Sequence, residues 1–227
     1  MRIGVLVPFT NTVLERDLRH LCPPGSTTYV TRIGGYGIDE LPDVSAMAAM
    51  GDADIDDALE LISGVNPDVV FYGCTSATLT HGLDFDRALR HHIGSATRAL
   101  TITAAGALVF TLRQLDVNRI AFVSPYTRDV ADEAITFMES AGFSTVGSAV
   151  PDDEVLSCDQ GAFTPADIVE LARRADHPEA ETIVLSCTDL RAVEATPHIE
   201  EQLAKPVIAV NRAMFTELAA RLPELGS

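Results

Sequence analysis

The sequence predicts an α/β fold built as two similar halves, each with a mostly parallel sheet. Three observations predict it. Short apolar runs alternate with helical patterns along the chain, the mark of βαβ units. Arg2–Asn11 is echoed by Arg119–Arg128, with Arg, Ile, Pro and Thr coinciding and Phe9 matched by Tyr126. Val69–Ser76 is echoed by Thr182–Asp189, each an apolar strand running into a small residue, Cys and Thr. Two echoes in the same order, at nearly equal offsets, mean an internal repeat.

The elements follow in order. Arg2–Val7 reads as a strand and Thr12–Leu21 as a helix; Thr27–Ile33 is strand-like and Ile55–Ile62 helical. Val69–Tyr72 is a buried strand, followed by a helix over Phe85–Ile93, a strand over Leu100–Thr103 and a very apolar helix over Ala104–Leu115. Arg119–Val123 opens the second half as a strand. A helix over Asp129–Ala141 ends at Gly142, the residue that most easily takes the left-handed turn after a helix. Ser144–Val150 is a strand, and Pro165 sits in the first turn of a helix reaching Ala175. Strands at Thr182–Leu185 and Val207–Val210 alternate with helices at Val193–Leu203 and Ala213–Leu222. In such sheets function gathers at the carboxyl ends of the strands.

Composition removes several function classes. The 227 residues carry 16 Lys and Arg against 33 Asp and Glu, a formal net charge of -17. That balance gives no electrostatic reason to bind nucleic acid or an anionic membrane surface. No apolar run approaches the roughly 18 residues of a membrane span. The N-terminal Met1–Pro8 reads as a first strand rather than a signal segment. Four widely spaced cysteines are not a disulfide framework and fit a reducing, cytoplasmic setting. The single lysine, Lys205, precedes Pro206 in a loop-like stretch, which argues against pyridoxal phosphate chemistry. Phosphate-binding glycine loops, a nucleophile elbow and spaced histidine ligands are missing, so neither a cofactor nor a metal is expected. Asp52, Asp54, Asp56 and Asp57 start like a calcium loop but lack its glycine and closing glutamate; they read as carboxylates at a helix start.

Cys74 and Cys187 carry the chemistry. Each follows an apolar strand and precedes Thr, so each lies in a strand-to-helix turn at equivalent places of the two halves. If the halves face each other, the thiols converge on one cleft. Backbone N–H groups at Thr75, Ser76, Thr188 and Asp189 are placed to bind carboxylate oxygens. The same location is expected to lower a thiol pKa. Opposed thiols suit proton removal on one face of a carbon and delivery on the other, or nucleophilic addition by one and proton transfer by its partner. Asp189 beside Cys187 disfavours a thiolate there, which makes Cys74 the expected nucleophile and Cys187 the proton carrier. Cys22 and Cys158 have no mirror partner and read as small packing residues.

Val7–Glu15, Tyr72–Ser76, Ser124–Tyr126 and Leu185–Arg191 together resemble the aspartate/glutamate racemase superfamily, in particular its maleate cis–trans isomerase and arylmalonate decarboxylase branch. The resemblance implies two flavodoxin-like lobes, no cofactor, a homodimer or larger homo-oligomer, and a final helix that returns to the first lobe. Lobes are therefore expected over 1–100 with helix 213–227, and over 101–212. It also implies Cys74 as nucleophile, Cys187 as second thiol, and Asn11 and Tyr126 as holders of substrate carboxylates. Alone, Asn11 reads equally as a helix cap and Tyr126 as a packing residue. Where the isomerases carry an Asn after the sixth strand, this chain has Asp152-Asp153-Glu154, which would repel a dicarboxylate unless turned away. Gly34–Pro42, with three glycines, reads as a mobile lid or an ordinary long loop.

The expected activity is cofactor-independent isomerisation of a small carboxylic acid, best maleate to fumarate. Racemisation of an amino acid or hydroxy acid by the same thiols is the alternative. A decarboxylase and a cytosolic small-acid binding protein stand behind these.

Overall fold

A computed structural model describes residues 1–225; the final two residues of the helix expected to reach residue 227 lie outside the described residues. The first half runs β1 (Arg2–Pro8), α1 (Leu14–Leu21), β2 (Thr27–Ile33), α2 (Val44–Asp52), α3 (Asp56–Ser63), β3 (Val69–Tyr72), α4 (Thr75–Thr97), β4 (Leu100–Thr103) and α5 (Ala104–Gln114). The second runs β5 (Arg119–Val123), α6 (Arg128–Ser140), β6 (Ser144–Ala149), a 3-10 helix (Ser157–Ala162), α7 (Pro165–Ala175), β7 (Thr182–Leu185), α8 (Ala192–Leu203), β8 (Val207–Ala209) and α9 (Val210–Leu225).

The strands form two four-stranded sheets ordered β2-β1-β3-β4 and β6-β5-β7-β8, and every pairing is parallel. The orders are the same under the repeat. Each reverses direction between its two central strands, the place where open α/β sheets hold ligands. Central strands β3 and β7 are buried along their whole length, which is why they read as unbroken apolar runs. β4 pairs with β3, so the first sheet runs through Thr103, past the expected boundary at residue 100.

Two helical stretches were not foreseen. α2 is capped by Asp43, which accepts from the Ala46 N–H at 2.8 Å, but its small and methionine-rich pattern gives a weak period. Asp52 ends this helix, whereas Asp54 accepts from the Asp56 N–H at 2.9 Å and Asp56 and Asp57 open α3, so the helix-start reading holds for all but Asp52. Gly51 allows α2 to meet α4: a Cβ there would lie 2.3 Å from the His81 ring. The first half of α4 is rich in Thr, Ser and His and is divided from the second at Gly82, whose φ of 86° no ordinary residue adopts readily.

The lobes share their interior. One hydrophobic cluster includes Val5 and Phe71 of the first sheet, Phe122 and Val184 of the second, and Met214 and Leu218 of α9. α9 crosses from β8 to the first lobe, where Phe215 meets Phe71 edge to face with centroids 5.1 Å apart. Its buried Glu217 receives Arg90 Nη1 at 2.9 Å and Nη2 at 3.3 Å, and also Arg221 Nε at 3.0 Å. A buried carboxylate keeps its charge only with such partners. Arg90→Ala is expected to cost about 3 kcal/mol, a fall in thermal midpoint of roughly 10 °C. Circular dichroism melting measures it; an unshifted midpoint would show that the pair does not tie α9 down.

Candidate active site

The reversal points of the two sheets face each other. β1 and β3 deliver Asn11 and Cys74; β5 and β7 deliver Tyr126 and Cys187. Both thiols, with Asn11, Thr75, Ser76, Tyr126, Thr188 and Asp189, line one cavity of about 30 Å³. All the residues expected from the sequence are thus brought together. The two turns differ. β3 runs directly into α4 with Cys74 as its N-cap, whereas β7 is followed by a turn, with α8 starting only at Ala192.

The hydrogen bonds divide these residues into two groups. In the first, side chains are spent on joining the lobes. Thr188 donates its hydroxyl to the Gly73 carbonyl at 2.7 Å and accepts from Asn11 Nδ2 at 3.0 Å. Asn11 Oδ1 accepts from the Val13 and Leu14 N–H groups at 3.1 and 2.9 Å, so Asn11 caps α1. Asp189 Oδ1 accepts from the Thr12 and Val13 N–H groups at 2.7 and 3.0 Å, a second cap supplied from the opposite lobe. In the second group, Thr75 Oγ1, Tyr126 Oη and Asp189 Oδ2 make no well-formed hydrogen bond within the protein, the Tyr126 hydroxyl having only weak contacts with the Ser186 and Thr75 hydroxyls. Buried polar groups are nearly always satisfied, so three orphans around one cavity mark a place for polar ligand atoms.

Burial sets the proton affinities. It pushes the Cys74 thiol up to about 11, against the opposing pull of the Ala77 N–H and the Ser76 hydroxyl. It pushes Cys187 higher still, with the Asp189 carboxylate adding to the effect. The depressed thiol pKa expected from the helix terminus is therefore absent in this closed cleft, because desolvation outweighs the N–H dipoles. The expected order survives, with Cys74 the more readily ionised. Asp189 is itself raised by burial to about 6 despite its N–H donors.

Several wall residues escaped the sequence reading. Met47 and Met50 come from α2, and Ser157 and Gln160 from the 3-10 helix, while Tyr36 and Pro42 belong to the Gly34–Pro42 loop already singled out from the sequence. Tyr36 Oη lies 2.6 Å from Ser157 Oγ, closing the cavity from both lobes. Cys187 Sγ donates to Gln160 Oε1 at 3.4 Å. The mirror relation of the loops after β2 and β6 was the available signal for both walls. Asp152, Asp153 and Glu154 point to solvent, and Asp152 pairs with Arg174 at 2.8 Å, so they bring no repulsion to the cavity. Cys158, expected to be buried, is exposed, because a 3-10 turn faces its side chain outward while Ser157 and Gln160 face in; Cys22 is half-buried. Among the described residues no group of three or more His, Cys, Asp or Glu could hold a metal ion, and no helix is long and apolar enough to cross a membrane.

Fold and site together define a pseudo-symmetric two-lobed α/β protein that sets one thiol from each lobe on a shared polar cavity. The family model described as arylmalonate decarboxylase matches residues 23–224, and the chain belongs to that family. It is 27% identical over 223 residues to maleate isomerase of Pseudomonas putida, covering 91% of this chain and 86% of the relative. The structure of maleate isomerase Iso from Pseudomonas putida S16 superposes with a TM-score of 0.86 at 25% identity, over 98% of this chain and 93% of that one. A mutant of the Nocardia farcinica maleate cis–trans isomerase carrying a covalently bound succinylcysteine intermediate has the same fold, with a TM-score of 0.88 at 24% identity, over 98% and 92%.

Asp189 gives a prediction with a defined sign. Its folded pKa of about 6 exceeds the 3.8 of an unperturbed aspartate, so the folded chain binds this proton more tightly than the unfolded one. The group's contribution to stability is full below about pH 4 and is lost as pH rises through about 6. Asp189→Asn keeps an oxygen for the Thr12 and Val13 N–H groups and removes the titration. Melting curves from pH 4 to 7 are expected to show the variant gaining roughly 3 kcal/mol on the native chain across that range. Parallel curves would contradict the assignment.

Proposed function

We propose that this protein is a cofactor-independent, cysteine-dependent isomerase of a small carboxylic acid, and that its reaction is the conversion of maleate to fumarate. The observation that carries the reading is the convergence of Cys74 and Cys187, from mirrored strand ends, on a cavity lined by the Thr75 and Tyr126 hydroxyls, neither with a well-formed hydrogen bond in the protein. The maleate isomerase relatives, matched over most of the chain, support it.

In this reading the substrate carboxylates take hydrogen bonds from Thr75 Oγ1, Tyr126 Oη and the N–H groups that open α4. None of the cavity's lining residues is lysine or arginine, so the anion is held by preorganised neutral donors. The screening length of about 8–10 Å keeps the distant surface charge from deciding the outcome. The cavity has room for two or three waters at about 10–15 Å³ each, so a four-carbon diacid enters only when the walls part. Opening hydrates Cys74, relieves the burial that raises its pKa and lets its proton leave to solvent.

The thiolate then adds to one alkene carbon. The π electrons pass to the neighbouring carbon, which takes the Cys187 proton. The former double bond, now single, rotates. Cys187 thiolate removes the proton again, the electron pair re-forms the double bond, and the C–S bond breaks to return the Cys74 thiolate. The product is the trans diacid, with no net change in atoms or electrons. A homodimer in the cytoplasm is the assembly and setting that accompany this proposal.

The test is proton NMR of maleate with the protein in D₂O. Fumarate is expected to accumulate with the native chain, and Cys74→Ser is expected to lower the rate by at least about 10³-fold, as loss of a covalent nucleophile does. No fumarate, with exchange of the α-proton of an amino or hydroxy acid instead, would replace isomerisation by racemisation.

A further inference from the structure

We propose that Asn211, in the first turn of α9, is a positioning residue that fixes the Thr188 carbonyl and thereby the place of Cys187 opposite Cys74, with Asp17 of α1 as its anchor. Asn211 is wholly buried and lies outside the lining of the cavity. Its Nδ2 donates to Asp17 Oδ2 at 2.8 Å and to the Thr188 carbonyl at 3.1 Å. Both partners are acceptors, so the orientation of the amide is fixed by its surroundings, and only a group with two N–H hydrogens meets them together.

The position of Asn211 in the chain gives this contact its meaning. It stands where the chain leaves the second sheet at β8 and crosses to the first lobe. One hydrogen bond grips the first lobe through Asp17, and the other grips the second through the residue after Cys187. Asp17 lies on the same helix whose start is held by Asn11 and by Asp189. The hydrogen bonds therefore close a ring: Asp189 to the start of α1, Asp17 to Asn211, and Asn211 back to Thr188, the neighbour of Asp189. Thr188 also reaches the Gly73 carbonyl, one residue before Cys74. The turn bearing one thiol is thus held at a set distance from the strand end bearing the other. Asn211 Oδ1 has no partner, a cost that an amide chosen for its two donors alone accepts.

The proposal rests on the isomerase reading, and its test separates the two. Asn211→Asp removes the donor to Thr188 and sets two carboxylates together. The double variant Asp17→Asn/Asn211→Asp restores the helix contact with donor and acceptor exchanged, yet still gives Thr188 no donor. If Asn211 positions Cys187, the double variant recovers thermal stability but keeps kcat for maleate about 10- to 100-fold below the native value, with KM nearly unchanged, the size expected for sub-ångström misplacement. Recovery of kcat together with stability would make the pair merely structural and overturn the proposal, as would native kcat in Asn211→Asp. The relative rates at which N-ethylmaleimide labels Cys74 and Cys187, read by peptide mapping, need no turnover. They are expected to change several-fold in both variants, and native ratios would overturn the proposal even if maleate proves not to be the substrate.

Discussion

The structure depends on a polar seam between two apolar sheets. Hydrophobic burial holds the lobes together, but it is non-directional and would tolerate many relative placements. The Thr188 hydroxyl on the Gly73 carbonyl, at 2.7 Å, and the Asp189 carboxylate on the start of α1 select one. These bonds join the two strand ends that carry the thiols. A buried hydrogen bond left unmade costs about 1–3 kcal/mol, so a shifted lobe would lose several at once. The site's geometry is therefore set by groups that need not touch substrate.

The same seam keeps the thiols at rest until the walls part. Closed, it holds both thiols protonated by burial, and the Asp189 carboxylate makes Cys187 the more reluctant to ionise. The unpartnered oxygens of Thr75, Tyr126 and Asp189 are tolerated at a cost to stability. A carboxylate that enters accepts from the Thr75 and Tyr126 hydroxyls already in place, so little reorganisation is needed as charge develops. The net charge of -17 is spread over a surface screened within about 8–10 Å, whereas Asp189, in the cavity wall, is a local negative charge that the neutral donors must outweigh.

Much of this was legible in the sequence because repetition is visible where a single strand is ambiguous. Val69–Tyr72 and Thr182–Leu185 are each short apolar runs, but paired with a following Cys-Thr they fix strand, turn and thiol in both lobes. Tyr126 was reached through the family resemblance, the repeat alone matching it only to Phe9. What escaped was carried by tertiary contact. α2 lacks a strong period, and its packing on α4 depends on a glycine meeting a distant histidine. Gln160 reaches Cys187 from a 3-10 turn after an irregular loop, where no periodicity applies. Asn211 lies at the join of β8 and α9, and its two partners are far away in sequence. The raised thiol pKa was also hidden, because a helix terminus is local and legible while desolvation belongs to the assembled cleft.

The claim at the centre is that the lobes hold two thiols with distinct tasks on opposite sides of one substrate. Intact-mass analysis of Cys187→Ser incubated with maleate tests it most directly. With the nucleophile kept and solvent supplying the proton that Cys187 no longer gives, a covalent adduct of one maleate is predicted to accumulate for want of the thiolate that removes that proton, mapping to Cys74 and absent from the Cys74→Ser chain. An adduct on any other cysteine, or full turnover by both single variants, would contradict the account.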